Sequence, residues 1–153
     1  RRDLRGPYPG AKIEMTDKDF TIAAYQEHVT ERKIMGSRCS QCDALQLPAR
    51  PICSNCHGRE LVWEELGGAG TILGFTSIAI SPTAMAAKGY GRDKHYLTAI
   101  VALDNGPSVT ARVEVNATED LEQSIHVGMA VKADFLEETD GEDTKVTLVF
   151  RPA

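Results

Sequence analysis

The 153-residue chain has no cysteine to spare: all four fall within eighteen consecutive positions, as Cys39-Ser40-Gln41-Cys42 and Cys53-Ser54-Asn55-Cys56. Thiols grouped this way suit a metal in a reducing compartment better than a disulfide framework, and the expected location is cytoplasmic. No apolar run approaches the roughly 18 residues of a membrane span, and no signal-peptide pattern is visible. A net basic charge is also missing. The formal charge of -5 argues against a phosphate-binding surface as the main business, though it leaves room for a local basic patch, because nucleic-acid affinity rests on clustered Lys and Arg. Catalytic constellations are missing as well. His28, His57, His95 and His126 lie on separate segments, there is no H-E-x-x-H and no G-x-S-x-G, and no thiol remains as a nucleophile if all four bind metal.

What is present falls into three parts: an arm and helix at 1–33, a metal ribbon at 34–66 and a strand-rich remainder at 67–153. Residues 1–15 carry Pro7, Pro9, Gly6 and Gly10 without a period. They read as an extended arm, loose or laid on a partner. Thr16-x-x-Asp19 resembles a capping box, and the composition predicts a helix from Asp17 to about Arg32. On it Ile22, Tyr25 and Val29 share one stripe, and Phe20, Ala23 and Ala24 an adjoining one. So wide an apolar surface must pack on this chain or on a partner.

Two CxxC turns separated by ten residues let four thiolates converge in a closed tetrahedral shell, which marks a structural site with no open coordination position. Zinc is the expected ion, with a rubredoxin-type iron site as the alternative. His57 follows Cys56 directly and reads as a neighbour of the shell or a surface residue and not as a further ligand. From Thr71 the chain predicts five strands, at 71–80, 96–103, 108–115, 129–136 and 145–151. A helical turn at 116–126 separates the third from the fourth. Asp104-Asn105-Gly106 signals a hairpin, Gly74 marks a bend in the first strand, and Glu137–Thr144 reads as an acidic turn. This order is that of a five-stranded OB-fold barrel, with an open sandwich as runner-up. The segment Ser81–Lys94 is too long for a tight hairpin. It places Met85, Lys88, Tyr90, Arg92 and Lys94 in a loop suited to docking a partner or covering a phosphate-bearing ligand.

Together these motifs resemble a known family. C-S-Q-C-x10-C-S-N-C with Pro48-Ala49-Arg50-Pro51, then Leu61-Val62-Trp63-x-x-Leu66 and Gly70-Thr71-Ile72, is similar to the acyl-CoA-associated zinc-ribbon/OB-fold family, long catalogued as a domain of unknown function. The resemblance continues through Ala99–Pro107, Val127-Gly128-Met129-x-Val131 and Phe150-Arg151-Pro152, covering about residues 16–152. It implies a mainly β protein with an N-terminal helix, a rubredoxin-like zinc ribbon and an OB barrel. It also implies a structural Zn2+ on Cys39, Cys42, Cys53 and Cys56, and no catalytic residues in this chain. The implied partner is a thiolase-fold catalytic subunit in a hetero-oligomer, of the kind that handles acetoacetyl-CoA or benzoylsuccinyl-CoA, or a thiolase-like retro-aldolase. CoA or acyl-CoA would then lie at the interface, with Phe20, Tyr25, Met85, Lys88, Tyr90, Arg92 and Lys94 as candidate contacts. A nucleic-acid-binding OB module is the competing class. It needs exposed aromatics and bases on the strands, and 96–103 with 108–115 offer only Tyr96 and Arg112.

Overall fold

The computed structural model describes residues 20–115, 124–140 and 143–153. One helix, α1 (Ile22–Thr30), leads into a three-stranded sheet of β1 (Ile34–Cys39), β2 (Leu45–Gln46) and β3 (Leu61–Leu66), ordered β2-β1-β3. Five further strands follow: β4 (Ala69–Ile78), β5 (Tyr96–Leu103), β6 (Ser108–Val113), β7 (Ala130–Asp140) and β8 (Asp143–Pro152), with a four-residue helix α2 (Thr83–Ala86) between β4 and β5. They close as β4-β5-β6-β8-β7, with β7 pairing back onto β4. This is the predicted OB barrel, in which closure leaves no long strand edge unpaired.

The helix is shorter than predicted. Thr16, Asp17 and Asp19 lie outside the described residues; Thr21 is the cap, its hydroxyl accepting the Ala24 N–H at 3.1 Å. Phe20 therefore precedes the helix, and Ile22, at its first position, is 89% exposed rather than part of the buried stripe. The helix stops before the predicted Arg32 because the backbone turns left-handed there (φ 61°). The Arg32 N–H bonds to Val29 O and the Lys33 N–H to His28 O, a Schellman stop with arginine in the place glycine usually takes. Val29 is buried, Tyr25 packs on the core, and Gln26 donates to the Val146 carbonyl at 2.8 Å. The Tyr25–Val29 stripe of α1 is thus covered by its own chain while Ile22 and Ala23 stay exposed, and Val29, Ile34 and Leu66 join the barrel residues Ile72, Leu97, Val101, Val131 and Phe150 in one core.

Within the barrel the strands alternate. On β5, Leu97, Ala99, Val101 and Leu103 are buried while Ile100 is exposed, the period of two of a half-buried strand. The β4–β5 register slips between Ile72 and Gly74, a bulge where the sequence predicts a bend. The predicted acidic turn at 137–144 is largely strand. The β7–β8 ladder continues through Glu138↔Lys145 and Thr139↔Thr144 to Asp140↔Asp143. The third predicted strand ends earlier, at Val113. Most of the predicted turn at 116–126 lies outside the described residues.

Two glycines of β4 make opposite predictions. A Cβ on Gly70 would sit 2.5 Å from the Ala102 carbonyl and 2.8 Å from Val101 Cγ1, whereas nothing lies within 4 Å of one on Gly74. Gly70→Ala is expected to destabilise by about 1–3 kcal/mol, since backbone cannot withdraw cheaply. Gly74→Ala should be neutral or stabilising by up to about 1 kcal/mol. Urea midpoints of the two variants at equal m check this.

Candidate metal centre and loop cluster

The two cysteine turns are built alike. In the first, the Cys39 N–H bonds to Ala44 O and the Asp43 N–H to Cys39 O; in the second, the Cys53 N–H bonds to Gly58 O and the His57 N–H to Cys53 O. Asp43 and His57 occupy the same left-handed conformation (φ 60° and 58°) one residue after the second cysteine of each turn. His57 is exposed at that position. Backbone N–H groups also approach the sulfurs, as Asn55 does to Cys53 Sγ at 3.4 Å.

The turns face each other. Cys39 Sγ lies 3.5 Å from Cys56 Sγ and Cys42 Sγ 3.6 Å from Cys53 Sγ, and all four sulfurs fall within 4.8 Å of one another. Zn–S bonds of about 2.3 Å in a tetrahedron require sulfur separations of about 3.8 Å, so the four thiols fit a zinc ion. Their electrostatics point the same way. The Ala44 N–H and the Asn55 side chain pull the Cys42 thiol down to about 6. At Cys56 the Gly58 N–H also lowers the thiol, but the bonds with Cys42 and Cys39, together with burial, outweigh it and push the thiol up to about 12. Four thiolates this close need a cation to coexist, and zinc would supply that charge as a structural cross-link.

The peptide frame around the sulfurs is itself bonded. Arg38 on β1 makes a two-point contact with the Glu64 carboxylate on β3 and donates to Asp43 O at 3.0 Å in the first turn. Gln46, 8% exposed, donates to the Ile52 carbonyl at 3.2 Å and accepts from Ser54 N and Ser54 Oγ at 3.0 and 3.1 Å, holding the approach to the second turn. Neither residue stood out in the sequence. A polar residue on a two-residue strand carries no periodic signal that would mark it as buried.

The seven candidate contact residues divide into two groups. Phe20 lies against Trp63 with ring centroids 4.7 Å apart, and His28 meets the same indole edge-on at 4.8 Å. Tyr25 packs on the barrel core, where burial raises its hydroxyl above the ordinary value. The other five gather beside β5, β6 and β7. Met85 is half-buried on α2, and its carbonyl accepts the Lys88 and Tyr90 N–H groups. Lys88 pairs with Glu138, whose carboxylate also accepts from Arg112 at 3.0 Å. Burial alone would raise the Glu138 carboxyl; the bonds from Lys88 and Arg112 overcome this and hold it below its ordinary value. Arg112 Nε also lies 2.6 Å from Glu114, off the N–H direction, so that contact is ionic. Tyr90 meets Tyr96 edge-on at 5.6 Å and receives Lys94 Nζ over its ring at 4.8 Å. Arg92 is exposed, and its carbonyl lies 3.1 Å from His95 Nε2. A carbonyl only accepts, so that nitrogen carries the proton and Nδ1 faces the Ser77 hydroxyl at 3.0 Å.

The loop is thus tied down by Lys88–Glu138–Arg112 and by Ser77–His95, leaving Arg92 and Lys94 as exposed cations with no carboxylate contact among the described residues. The sequence marks the loop but not its anchor, because Glu138 lies in a run that reads as an acidic turn and not as a strand.

Residues 27–62 match the family description "ChsH2, rubredoxin-like zinc ribbon domain" and residues 63–136 match "ChsH2, C-terminal OB-fold domain". A DUF35 domain-containing scaffold protein of Methanothermobacter thermautotrophicus is 30% identical, over 81% of this chain and 89% of that protein. The chain belongs to the DUF35 family of zinc-ribbon/OB-fold proteins. A scaffold protein of the same description from Methanocaldococcus jannaschii is 28% identical over 93% of this chain and 95% of that protein. Among solved structures, one described as the Ltp2-ChsH2(DUF35) aldolase superposes with a TM-score of 0.67 at 24% identity, covering 91% of this chain and 97% of that one. A DUF35 protein of unknown function from Sulfolobus solfataricus gives 0.56 at 20% identity, covering 86% and 84%. Both share the fold. Among the described residues no helix is long and apolar enough to cross a membrane.

Proposed function

We propose that this chain is a non-catalytic, zinc-stabilised scaffold subunit of a thiolase-type acyl-CoA C-acyltransferase complex. It would brace a thiolase-fold partner and shape the approach to its acyl-CoA site, in a reaction such as thiolytic cleavage of a 3-oxoacyl-CoA like benzoylsuccinyl-CoA. The observation that carries the scaffold role is similarity to DUF35 scaffold proteins along nearly the whole chain, ribbon and barrel together. The thiolase-type partner comes from the motif resemblance in the sequence. The site chemistry supports a supporting role: the four thiols form a closed shell, and His95 has both ring nitrogens engaged in holding a loop. A second reading, a partner subunit of a thiolase-like aldolase acting on acyl-CoA, is favoured by the Ltp2-ChsH2 aldolase fold match.

Co-purification from the native host with mass spectrometry of bound proteins separates these readings. A thiolase-fold acyltransferase supports the first, and an aldolase supports the second. A chain that comes through alone or with nucleic acid sinks both. In the complex, replacing Arg92 and Lys94 together with Ala should weaken CoA binding by about tenfold, the loss of two exposed phosphate-facing charges at roughly 0.5–1 kcal/mol each. Isothermal titration with CoA against dephospho-CoA reads this, and unchanged affinity removes the loop from the acyl-CoA site.

A further inference from the structure

The four sulfurs are not equivalent. Cys39 and Cys53 are buried, 1% and 0% exposed, while Cys42 is half-buried and Cys56 exposed. The short contacts join one of each kind across the two turns: buried Cys39 with exposed Cys56, and buried Cys53 with half-buried Cys42. Each pair therefore combines a thiol that an oxidant in solution can reach with a shielded one already in contact with it. That is the arrangement of an attacking and a resolving cysteine. We propose that the metal centre is a reversible peroxide-sensitive switch, in which oxidation links Cys39 to Cys56 and then Cys42 to Cys53 and discharges the zinc. The proposal rests on zinc binding at this site and stands apart from the identity of the partner.

The chemistry balances with hydrogen peroxide as oxidant. Held as a thiolate by the zinc it would bind, Cys56 attacks one peroxide oxygen and the O–O bond breaks, giving a sulfenic acid and hydroxide. The Cys39 thiolate then attacks Cys56 sulfur, the S–O bond breaks, and a second hydroxide leaves. Two protons from solvent turn both hydroxides into water. Two thiolates have lost two electrons and one peroxide has gained them. Cys42 and Cys53 alone cannot complete a four-thiolate shell, so the site empties, and a second peroxide joins them in the same way.

The surrounding frame makes reversal possible. The Arg38–Glu64 contact and the Gln46 bonds to Ile52 and Ser54 tie the turns to the strands around them but do not replace a link between the two turns. The new disulfides take over the cross-link between the turns. A thiol reductant then returns four cysteines to a preserved geometry.

The test uses the zinc-loaded full chain. Hydrogen peroxide is added in increments, released zinc is read with a chromophoric chelator, and disulfides are mapped by mass spectrometry of unreduced peptides. The expected result is loss of the bound zinc in step with Cys39–Cys56 linkage, Cys42–Cys53 following. Dithiothreitol and zinc should then recover the starting metal content and Trp63 emission. Linkage within a turn, as Cys39–Cys42 or Cys53–Cys56, overturns the proposal. So does zinc release through sulfinic or sulfonic acids without disulfides, retention of zinc at millimolar peroxide, or failure of dithiothreitol and zinc to restore the site. None of these readouts depends on a catalytic partner.

Discussion

Replacing Cys39 with Ser should remove the zinc and unfold the ribbon while the barrel stays folded. Cys39 is the last residue of β1 and almost fully buried; its backbone bonds to Ala44, and its sulfur closes the shell against Cys56. Three thiolates and a hydroxyl bind zinc far more weakly, and in modules this small the binding free energy is folding free energy, on the order of 10 kcal/mol or more in isolated zinc-finger peptides. Nothing else in the ribbon compensates: β2 is two residues long, and the sheet has only three strands. The barrel keeps its own core of Ile72, Leu97, Val101, Val131 and Phe150. The expected signature is near-zero zinc by elemental analysis, a red shift of the single Trp, and a surviving barrel transition on heating. If the scaffold reading holds, the partner is lost in the same experiment. Full zinc content with unshifted Trp63 emission would show that the ribbon does not depend on this ligand.

The metal centre was legible in the sequence because its chemistry depends on residue type and spacing. Two CxxC turns can converge on a metal whatever lies between them, and the four sulfurs lie within 4.8 Å of one another. The barrel was legible because alternation along β5 and the Asp104-Asn105-Gly106 turn are local signals, matched by burial at every second residue and by the Ala102↔Ser108 pairing across the hairpin. Contacts between distant segments were not legible. Glu138 meets Lys88 across fifty positions and Gln26 meets Val146 across 120; no period or motif joins them. The helix shows the same limit at short range. Its apolar residues allowed packing on this chain or on another, and the choice depended on whether the barrel presents a matching surface. It does, on β8, where Gln26 of α1 donates to the Val146 carbonyl and Val29 shares one cluster with Val146 and Leu148. Ile22 was misplaced for a related reason: with the cap at Thr21 rather than Thr16, it stands at the helix's first residue and escapes the stripe that Tyr25 and Val29 form.

Phe150→Ala should produce the reverse pattern, a crippled barrel with zinc retained. Phe150 is the largest fully buried side chain in the described core, and its carbonyl accepts the Glu114 N–H at 2.8 Å. It stands on β8 opposite Val113 on β6 and Ala133 on β7. The β6–β8 pairing is the narrowest part of the barrel ladder, with only two register partners, Arg112↔Val149 and Val113↔Phe150. Truncation there opens a cavity at the point where closure is held by the fewest backbone bonds. The cost of a buried Phe→Ala change is about 3–5 kcal/mol, a large share of the roughly 5–15 kcal/mol that stabilises an ordinary domain. Because Val29, Ile34 and Leu66 belong to the same cluster, α1 should loosen from the barrel and Trp63 should lose part of its surroundings. The cysteine turns close on their own backbone bonds and should keep their ion. A urea titration followed by circular dichroism, with chelator-detected zinc in the same samples, resolves the two events. The wild-type chain should lose barrel signal at a midpoint well above that of the variant, with zinc release at a similar concentration in both. An unchanged barrel midpoint would show that the core does not close through Phe150, and zinc release moving with the barrel would show that ribbon and barrel unfold as one unit.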